Sequence, residues 1–375
     1  MTRIYFDNAA TTPVDPQVVE SMVPFLQTYF GNPSSIYSYG RETRVAIENA
    51  RKSVAQLLGA KPGEIIFTSC GTESDNMALW SAIEDLGCRH IITSPIEHHA
   101  VLHTVQALAK QRQLAVEFLR VLPDGHIDLT DLERALESAT ERCLVSLMHA
   151  NNEIGNLLDI EAVGALCEKY NAIFHSDTVQ TVGHYPLALS ETTIHFATGA
   201  AHKFHGPKGI GMLYIDHKVS VSPFIHGGGQ ERNMRAGTEN VSGIVGFAKA
   251  LELATSNLPQ DQAHIQSLKD YLAAQLQTQI PGVQFNGDWN GASLYTLLNV
   301  SFPRTPQSEM LLMGLDMQGI CASAGSACSS GANQGSHVIN ALPNGNKGVP
   351  IRFSFSKFNT KEEVDHLLVK LKQLL

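Results

Sequence analysis

The sequence predicts an α/β protein, with a doubly wound, mainly parallel sheet in a large domain and a smaller α+β domain after it. Three observations carry that expectation. From Glu64 to His175, short apolar runs alternate with amphipathic stretches at the spacing of βα units. Near Leu251 the rhythm breaks, and a long helical stretch precedes two more widely spaced apolar runs. The polar segments EHHAV, HANNEIG and HSDTVQ each close an apolar run, and in open α/β sheets ligands gather beyond the carboxyl ends of the strands. These loops are expected to meet at one sheet edge and to build a site.

Taken in order, residues 4–6 form a short apolar segment, and Asp15-Pro16 supplies an N-cap and first-turn proline for a helix over 17–29. GNPSS breaks the chain before a long amphipathic helix over 41–58. EIIFT (64–68) reads as a buried strand, SCGTESDN as a loop, and 75–83 as a helix. Strands at 90–93, 116–119, 143–148 and 172–175 follow, separated by helices over about 100–111, 129–138 and 160–170. Beyond the break come a long helix at 262–279, strands at 297–301 and 351–354, and a closing helix at 361–374. The expected boundaries are 14–255 for the large domain, and 1–13 with 256–375 for the small one. Between the last two strands, CASAGSACSSGANQG (about 321–335) is rich in small residues. A loop of this length inside a compact domain suggests a mobile arm, here carrying Cys328.

Composition narrows the function. The 375 residues are 43% hydrophobic and 17% charged, an ordinary globular balance. The net charge of -9 is spread without a basic stripe, which argues against a nucleic-acid partner. No run approaches 18 uninterrupted apolar residues, and MTRIYFDNAATTPVD lacks the apolar core of a signal peptide. A cytoplasmic location without membrane attachment is expected. The six cysteines form no CxxC pair and are too sparse for a disulfide framework; Cys143 and Cys167 sit in apolar runs as small core residues.

The candidate chemistry centres on TGAAHKFHGPKGIG (198–211), where Lys203 is hemmed in by small residues. Desolvation favours a neutral amine, and only a neutral amine attacks an aldehyde, so Lys203 is a Schiff-base candidate. Upstream, Gly71 and Thr72 sit where a strand passes into a helix, a place to hold phosphate. Asp177 at a strand end could cap a helix, ligate a metal or pair with a protonated ring nitrogen. Pyridoxal phosphate needs a lysine for its aldehyde, an acid for its pyridine nitrogen and donors for its phosphate, so one cofactor accounts for all three features.

These residues belong to an ordered set: DNAATTPVDP, FGNPSS, TESDN, HANNEIG, DTVQ, HKFHGPKG, HGGGQERNMRAGT, GSAC and IRFSFSKF. Together they resemble, over nearly the full length, a cysteine desulfurase of the class V aminotransferase-like, pyridoxal-phosphate fold. The small-residue segment around Cys328 is similar to that of the group supplying sulfur for iron-sulfur clusters, nitrogenase-type enzymes included. The resemblance implies a type I transferase fold with a seven-stranded sheet. It assigns Lys203 to the cofactor aldehyde, Asp177 to the pyridine nitrogen and Gln180 to the ring hydroxyl oxygen. His98 would stack on the ring and shuttle protons, and Gly71, Thr72 and His202 would hold the phosphate. Thr238 would reach in from a partner subunit, which implies a homodimer with shared sites. Asn152, beside the cofactor, and Arg352 would hold the carboxylate of L-cysteine. Cys328 would take the sulfur as a persulfide, leaving L-alanine, and pass it to an acceptor protein of iron-sulfur assembly or tRNA thiolation.

The chain departs from the family pattern at several points. Ala200 stands where a serine commonly reaches the phosphate, with the Thr198 hydroxyl as a nearby substitute. Thr178 replaces the alanine that lies against the ring, and Gly335 replaces a proline after Cys328. Other readings remain open at this point. Another class V enzyme, such as a selenocysteine lyase or an aminotransferase, would share Lys203 and Asp177, and a catalytically silent scaffold could keep the fold. His98-His99 and His202-x-x-His205 lack the further ligands of a zinc pattern, so no metal is expected. Cys321 reads as a packed cysteine, Cys70 as filler, and HGGGQER (226–232) as a glycine-rich turn.

Overall fold

The computed structural model describes residues 3–325, 335–343 and 348–375. After strand β1 (Ile4–Tyr5), helix α1 (Pro16–Gln27) starts as the sequence suggests, with Asp15 Oδ1 accepting the Gln17 N–H at 2.9 Å and Pro16 in the first turn. Helix α2 (Ser38–Leu57) leads to β2 (Ile65–Thr68). The βα alternation then runs through α3 (Gly71–Glu84), β3 (His90–Thr93), α4 (His99–Arg112), β4 (Ala115–Phe118), α5 (Leu129–Ser138), β5 (Cys143–Ser146), α6 (Ile160–Lys169) and β6 (Ile173–Asp177). Two strands without a counterpart in the sequence reading follow, β7 (Phe196–Ala200) and β8 (Gly211–Ile215), and then α7 (Val241–Ser256).

The seven strands β2 to β8 form one sheet in the order β2-β8-β7-β6-β5-β3-β4. Every pairing from β7 to β4 is parallel, and only β8 runs against its neighbours. Parallel sheets need cover on both faces. On one face α1, α2, α5, α6 and α7 contribute Val18, Val54, Leu132, Val163 and Phe247 to a core that includes Val145 and Phe174 of the sheet. On the other, Leu79 of α3 and Val105 of α4 pack on Ile91, Leu144 and Ile173. The sheet's central strands β5, β6 and β7 are buried throughout, as strands covered on both faces must be. Each fully buried large apolar side chain contributes about 1.5–3 kcal/mol.

After α7 come α8 (Leu258–Gln279), β9 (Gln284–Phe285), β10 (Leu297–Pro303), α9 (Pro306–Glu309), α10 (Leu311–Met317), β11 (Ile320–Cys321), α11 (His337–Ala341), β12 (Gly348–Ser354) and α12 (Lys361–Leu374). A second core draws on α8, β9, β10, α10, β11, β12 and α12, whereas Val338 and Ile339 of α11 pack with Ile96 and Ile154. The three-stranded antiparallel sheet β12-β10-β9 supplies Val300, Phe302 and Phe353, which pack on Leu272 of α8 and Leu367 of α12. Ile4 and Phe6 belong to this same core, and β1 pairs in parallel with β11. Asn8 and Ala9 are held by the Ser354 carbonyl and hydroxyl at 2.9 and 2.8 Å. The chain's first residues are thereby brought from the second core to the edge of the seven-stranded sheet.

Candidate active site

Strand β2 delivers the chain to a turn at Ser69 and Cys70. Helix α3 then starts at Gly71, where the sequence suggested Asp75, so Thr72 and Asp75 both lie on its first turns. The Thr68 and Ser74 hydroxyls, 2.7 Å apart, and a 3.0 Å bond from Ser74 to the Met212 carbonyl pin this start to the sheet. A helix start leaves its first N–H groups without carbonyl partners and draws anions. Glycine is needed at 71 because a Cβ there would lie 2.9 Å from Val179 Cγ2.

Lys203 arrives on a single turn, Ala201–Lys203, directly after β7. His184 Nε2 lies 3.0 Å from its carbonyl and fixes the turn from behind. The half-buried side chain donates to the Ala9 and Ala10 carbonyls at 2.5 and 2.9 Å. Beside it, His202 Nδ1 lies 3.1 Å from the Thr11 hydroxyl. His98 caps α4, its Nδ1 accepting the Ala100 N–H at 3.2 Å. Burial and, second, Lys203 hold the His98 ring down to a pKa of about 4; the same two causes act on His202, also at about 4. Both imidazoles are neutral at pH 7.

Asp177 ends β6, with Oδ1 accepting the Val179 N–H at 2.9 Å, and Gln180 donates to the Ala9 carbonyl at 3.1 Å. Next to Asp177 is a residue that the sequence reading missed. Asp75, fully buried, reaches in from α3, and single donor atoms of Asp75, Asp177 and His98 lie within 4.8 Å of one another. Burial pushes both carboxyl groups up to about 7, and Asp75 adds to the rise at Asp177. Asp75 Oδ1 lies 3.3 Å from His175 Nε2 without a well-formed hydrogen bond. Burial keeps His175 neutral, at about 4, so this contact is not an ion pair. Two buried acids facing one cavity favour a cationic ligand group. With the helix start read at Gly71, the Thr72-x-x-Asp75 spacing would have placed Asp75 on the same face as Thr72.

The opposite wall comes from the turn after β5 and from β12. Arg352, 1% exposed, donates Nη1 to the Asn152 carbonyl at 2.7 Å and pairs through Nη2 with Asp7 Oδ1 at 2.7 Å. Its buried Nε has no partner among the described residues.

All the sequence-derived cofactor and substrate residues except Thr238 line a single cavity of about 220 Å³, together with Ala9, Ala10, Cys70, Asp75 and Ala200. Thr238 is exposed and lies elsewhere, by Ser69 and Arg235. Cys328 lies outside the described residues, as do residues 326–334 of the stretch about 321–335 expected to be a mobile arm. Cys70 lines the cavity at the N-cap of α3, a more specific place than filler. Thr178 turns its hydroxyl onto the Thr198 carbonyl at 2.7 Å and does not line the cavity. Thr198 is turned toward His175, with its hydroxyl 3.4 Å from Nε2, so it does not replace the serine missing at 200. The turn 226–232 proves to carry a buried ion pair, Glu231 with Arg51 at 2.7 Å. His99 stacks against His103 and meets a tilted His337 ring, with ring centroids 4.9 and 4.5 Å away, and His205 Nδ1 lies 2.9 Å from the Pro13 carbonyl. Cys321 is half-buried on β11, its carbonyl accepting the Phe6 N–H at 2.9 Å.

Compared with known proteins, residues 4–367 match the model of the family Aminotransferase class-V. The chain is 44% identical over 382 residues to a protein of Dictyoglomus turgidum named cysteine desulfurase IscS, covering 100% of this chain and 94% of that protein. A Clostridium botulinum protein of the same name is 42% identical over 379 residues, with the same two coverages. Among solved structures, a NifS-like protein superposes with a TM-score of 0.91 at 39% identity, covering 99% of each chain. The structure of SspA in complex with cysteine gives 0.81 at 31% identity, covering 96% of this chain and 100% of that one.

Proposed function

The chain belongs to the class V aminotransferases and, within them, to the cysteine desulfurases, and we propose from that premise which residues of this cavity take sulfur from L-cysteine and leave L-alanine. The observation that supports the reading best is convergence. A lysine, two buried acids, a helix start and an arginine, from distant parts of the sequence, share a single cavity.

The family is pyridoxal-phosphate-dependent, and the residues present fit that cofactor. The start of α3 at Gly71 and Thr72, with His202, would hold its phosphate, and Lys203 its aldehyde. Asp177, beside Asp75, would hold the proton on its ring nitrogen, and Gln180 would face its hydroxyl oxygen. A metal ion would meet the same Asp75, His98 and Asp177 donors but would leave Lys203 and the helix start without a task. Bound there, the cofactor supplies an electron-withdrawing ring that makes the substrate's α-proton removable and weakens its bond to sulfur. Arg352 and Asn152 orient the substrate carboxylate, a task suited to a planar guanidinium fork. Lys203 Nζ takes the α-proton. In the neutral tautomer that accepts from Ala100, His98 carries its proton on Nε2 and presents a donor there. Cys328, as thiolate, attacks the substrate sulfur; an S–S bond forms, the C–S bond breaks, and the persulfide is the form passed to an acceptor protein.

Three finer points belong to the same proposal. Residues 14–255 form the cofactor-binding unit, and 1–13 with 256–375 a second unit carrying Cys328, a division supported by the segregation of the two apolar cores. The protein works as a homodimer in which Thr238 serves the partner's cavity. The exposed cluster Leu26, Phe30, Ile36, Tyr37 and Val45 offers an apolar face for that contact. The location is cytoplasmic; no helix among the described residues is long and apolar enough to cross a membrane.

The test is to incubate cofactor-loaded protein with L-cysteine and a reductant. Equal amounts of alanine and sulfide are expected. Cys328→Ser should keep the cofactor's colour change on adding cysteine and lose sulfur transfer. An aminotransferase would be indifferent to that substitution, and its indifference would overturn the reading.

A further inference from the structure

Glu153 is fully buried, yet among the described residues its carboxylate has a hydrogen-bond donor at one oxygen only. Oε2 accepts the Ser336 hydroxyl, while Oε1 has no partner among the described residues. A buried carboxylate this poorly satisfied is costly in isolation, so its surroundings bear on what it does. Ser336 also caps α11, accepting the Ile339 N–H at 3.0 Å. Gly325 lies against the same pair: a Cβ there would sit 3.3 Å from Ser336 Cβ and 3.6 Å from Glu153 Oε2. Its φ of +144° is a conformation that suits glycine. Two residues earlier, Ser323 pairs with Arg352 through both backbone groups, at 2.6 and 3.2 Å, and its hydroxyl donates to the Gly325 carbonyl at 3.1 Å. Gly325 and Ser336 flank, in sequence, the stretch that contains Cys328.

Glu153 therefore stands where both flanks of that stretch meet the substrate wall. Its chain neighbour Asn152 accepts from Arg352 Nη1 at 2.7 Å, and its own carbonyl accepts the Asn299 side-chain N–H at 2.8 Å. Gly335, next to Ser336, has a φ of +65°, which the fixed ring of proline cannot adopt. The glycine found there is thus compatible with this clasp, whereas proline in that conformation is not.

From this geometry we infer that Glu153 is a positioning residue, which clasps the two flanks of the Cys328 segment to the Asn152–Arg352 wall and so governs sulfur transfer without touching the substrate. The inference rests on the reading of Cys328 as the sulfur acceptor. A thiol tethered at both ends near its target has a high effective concentration, which falls when one tether point is released.

The experiment is a single turnover of the full-length, cofactor-loaded protein with L-cysteine, read in two ways. One is the rate of the colour change on binding; the other is the rate of persulfide formation on Cys328, by acid quench and mass spectrometry. Glu153→Ala and Ser336→Ala should each slow persulfide formation roughly tenfold, the scale of one hydrogen bond to a charged group, while the colour change stays within about twofold. The double variant should be no slower than either alone, and Glu153→Gln, whose amide oxygen still accepts from Ser336, should recover most of the rate. An unchanged persulfide rate in Glu153→Ala overturns the inference, as does an equal fall in both readings or a Glu153→Gln no better than alanine. If the unsubstituted protein forms no persulfide on Cys328 while still releasing alanine, the sulfur-acceptor reading falls and takes this inference with it.

Discussion

The two walls of the cavity handle charge in opposite ways. On the wall built by the seven-stranded sheet, Asp177 and Asp75 are pushed up to about 7 and His98 and His202 down to about 4, all chiefly by burial. Burial suppresses the ionised forms of all four, and a ligand bringing a positive ring nitrogen would restore those of the two carboxyl groups. On the wall built by the N-terminal segment and β12, Arg352 already has Asp7 as counter-ion. A substrate carboxylate must share or replace that partner. The cofactor wall is thus set to gain a charge, and the substrate wall to exchange one.

This contrast can be tested from the largest expected effect downward. Lys203→Ala should reduce alanine release on the order of 10²–10⁴-fold, the usual range for losing a positioned proton carrier; a milder loss would remove Lys203 from the centre of the cofactor wall. Arg352→Lys cannot reproduce the guanidinium fork and should raise KM for L-cysteine by roughly ten- to a hundredfold, with kcat less affected. An unchanged KM would dissociate the second wall from the substrate carboxylate. Ala200→Ser adds a hydroxyl to the cavity lining near Gly71, where Thr198 is turned away, and should slow cofactor loss on dialysis about tenfold. Unchanged or faster loss would mean that the phosphate does not approach this side. Asp7→Asn leaves the Arg352 charge uncompensated and should lower KM for L-cysteine by up to about fivefold, since partly exposed ion pairs are worth about 1 kcal/mol. A raised KM would show that Asp7 orients Arg352 and does not compete with substrate.

The cofactor wall also makes a prediction about pH in the cofactor-free protein. His98, His149, His175, His202 and His205 are held near 4 by burial, below their unfolded value near 6.5. The unfolded chain binds more protons at these five between about pH 4 and 6.5, so their contribution makes stability rise with pH across that window. Asp75 and Asp177 near 7 and Glu97 near 8, again through burial, lie above their unfolded values near 4. There the native state binds more protons, and stability falls as pH rises toward 7 and 8. The five histidines outweigh the three acids below pH 6.5, and only the acids act above it. The thermal midpoint should peak near pH 6.5 and decline toward 8; a steady rise to pH 8 would contradict this balance.

Much of this was legible in the sequence where local chemistry dictates local structure. Helix α12 matches the expected 361–374, and the structure shows why its bounds are sharp: the Thr360 side chain caps its start by accepting the Glu363 N–H. The Asp15-Pro16 start of α1 was legible from its N-cap and first-turn proline. Strands β7 and β8 were not, since FATGA and GMLYI carry glycines and small residues that blur a strand's signature. Helix α7 escaped because Ile244, Phe247 and Leu251 are buried among α1, α2 and the sheet, leaving little polar face to reveal its period. In the site, Lys203 and Asp177 were found from the chemistry a cofactor requires, and Arg352 from the family resemblance. Asp75, Asp7 and Glu153 were not, because their significance lies in contacts with residues far away in the chain.

The most direct test of the central claim, that Lys203 is the residue on which the cofactor wall is organised, is borohydride reduction of the pyridoxal-phosphate-loaded protein followed by peptide mass spectrometry. The account predicts a stable phosphopyridoxyl mass added to the peptide containing Lys203, and no such label in Lys203→Ala. A label on another lysine, or an undiminished one in that variant, would contradict it.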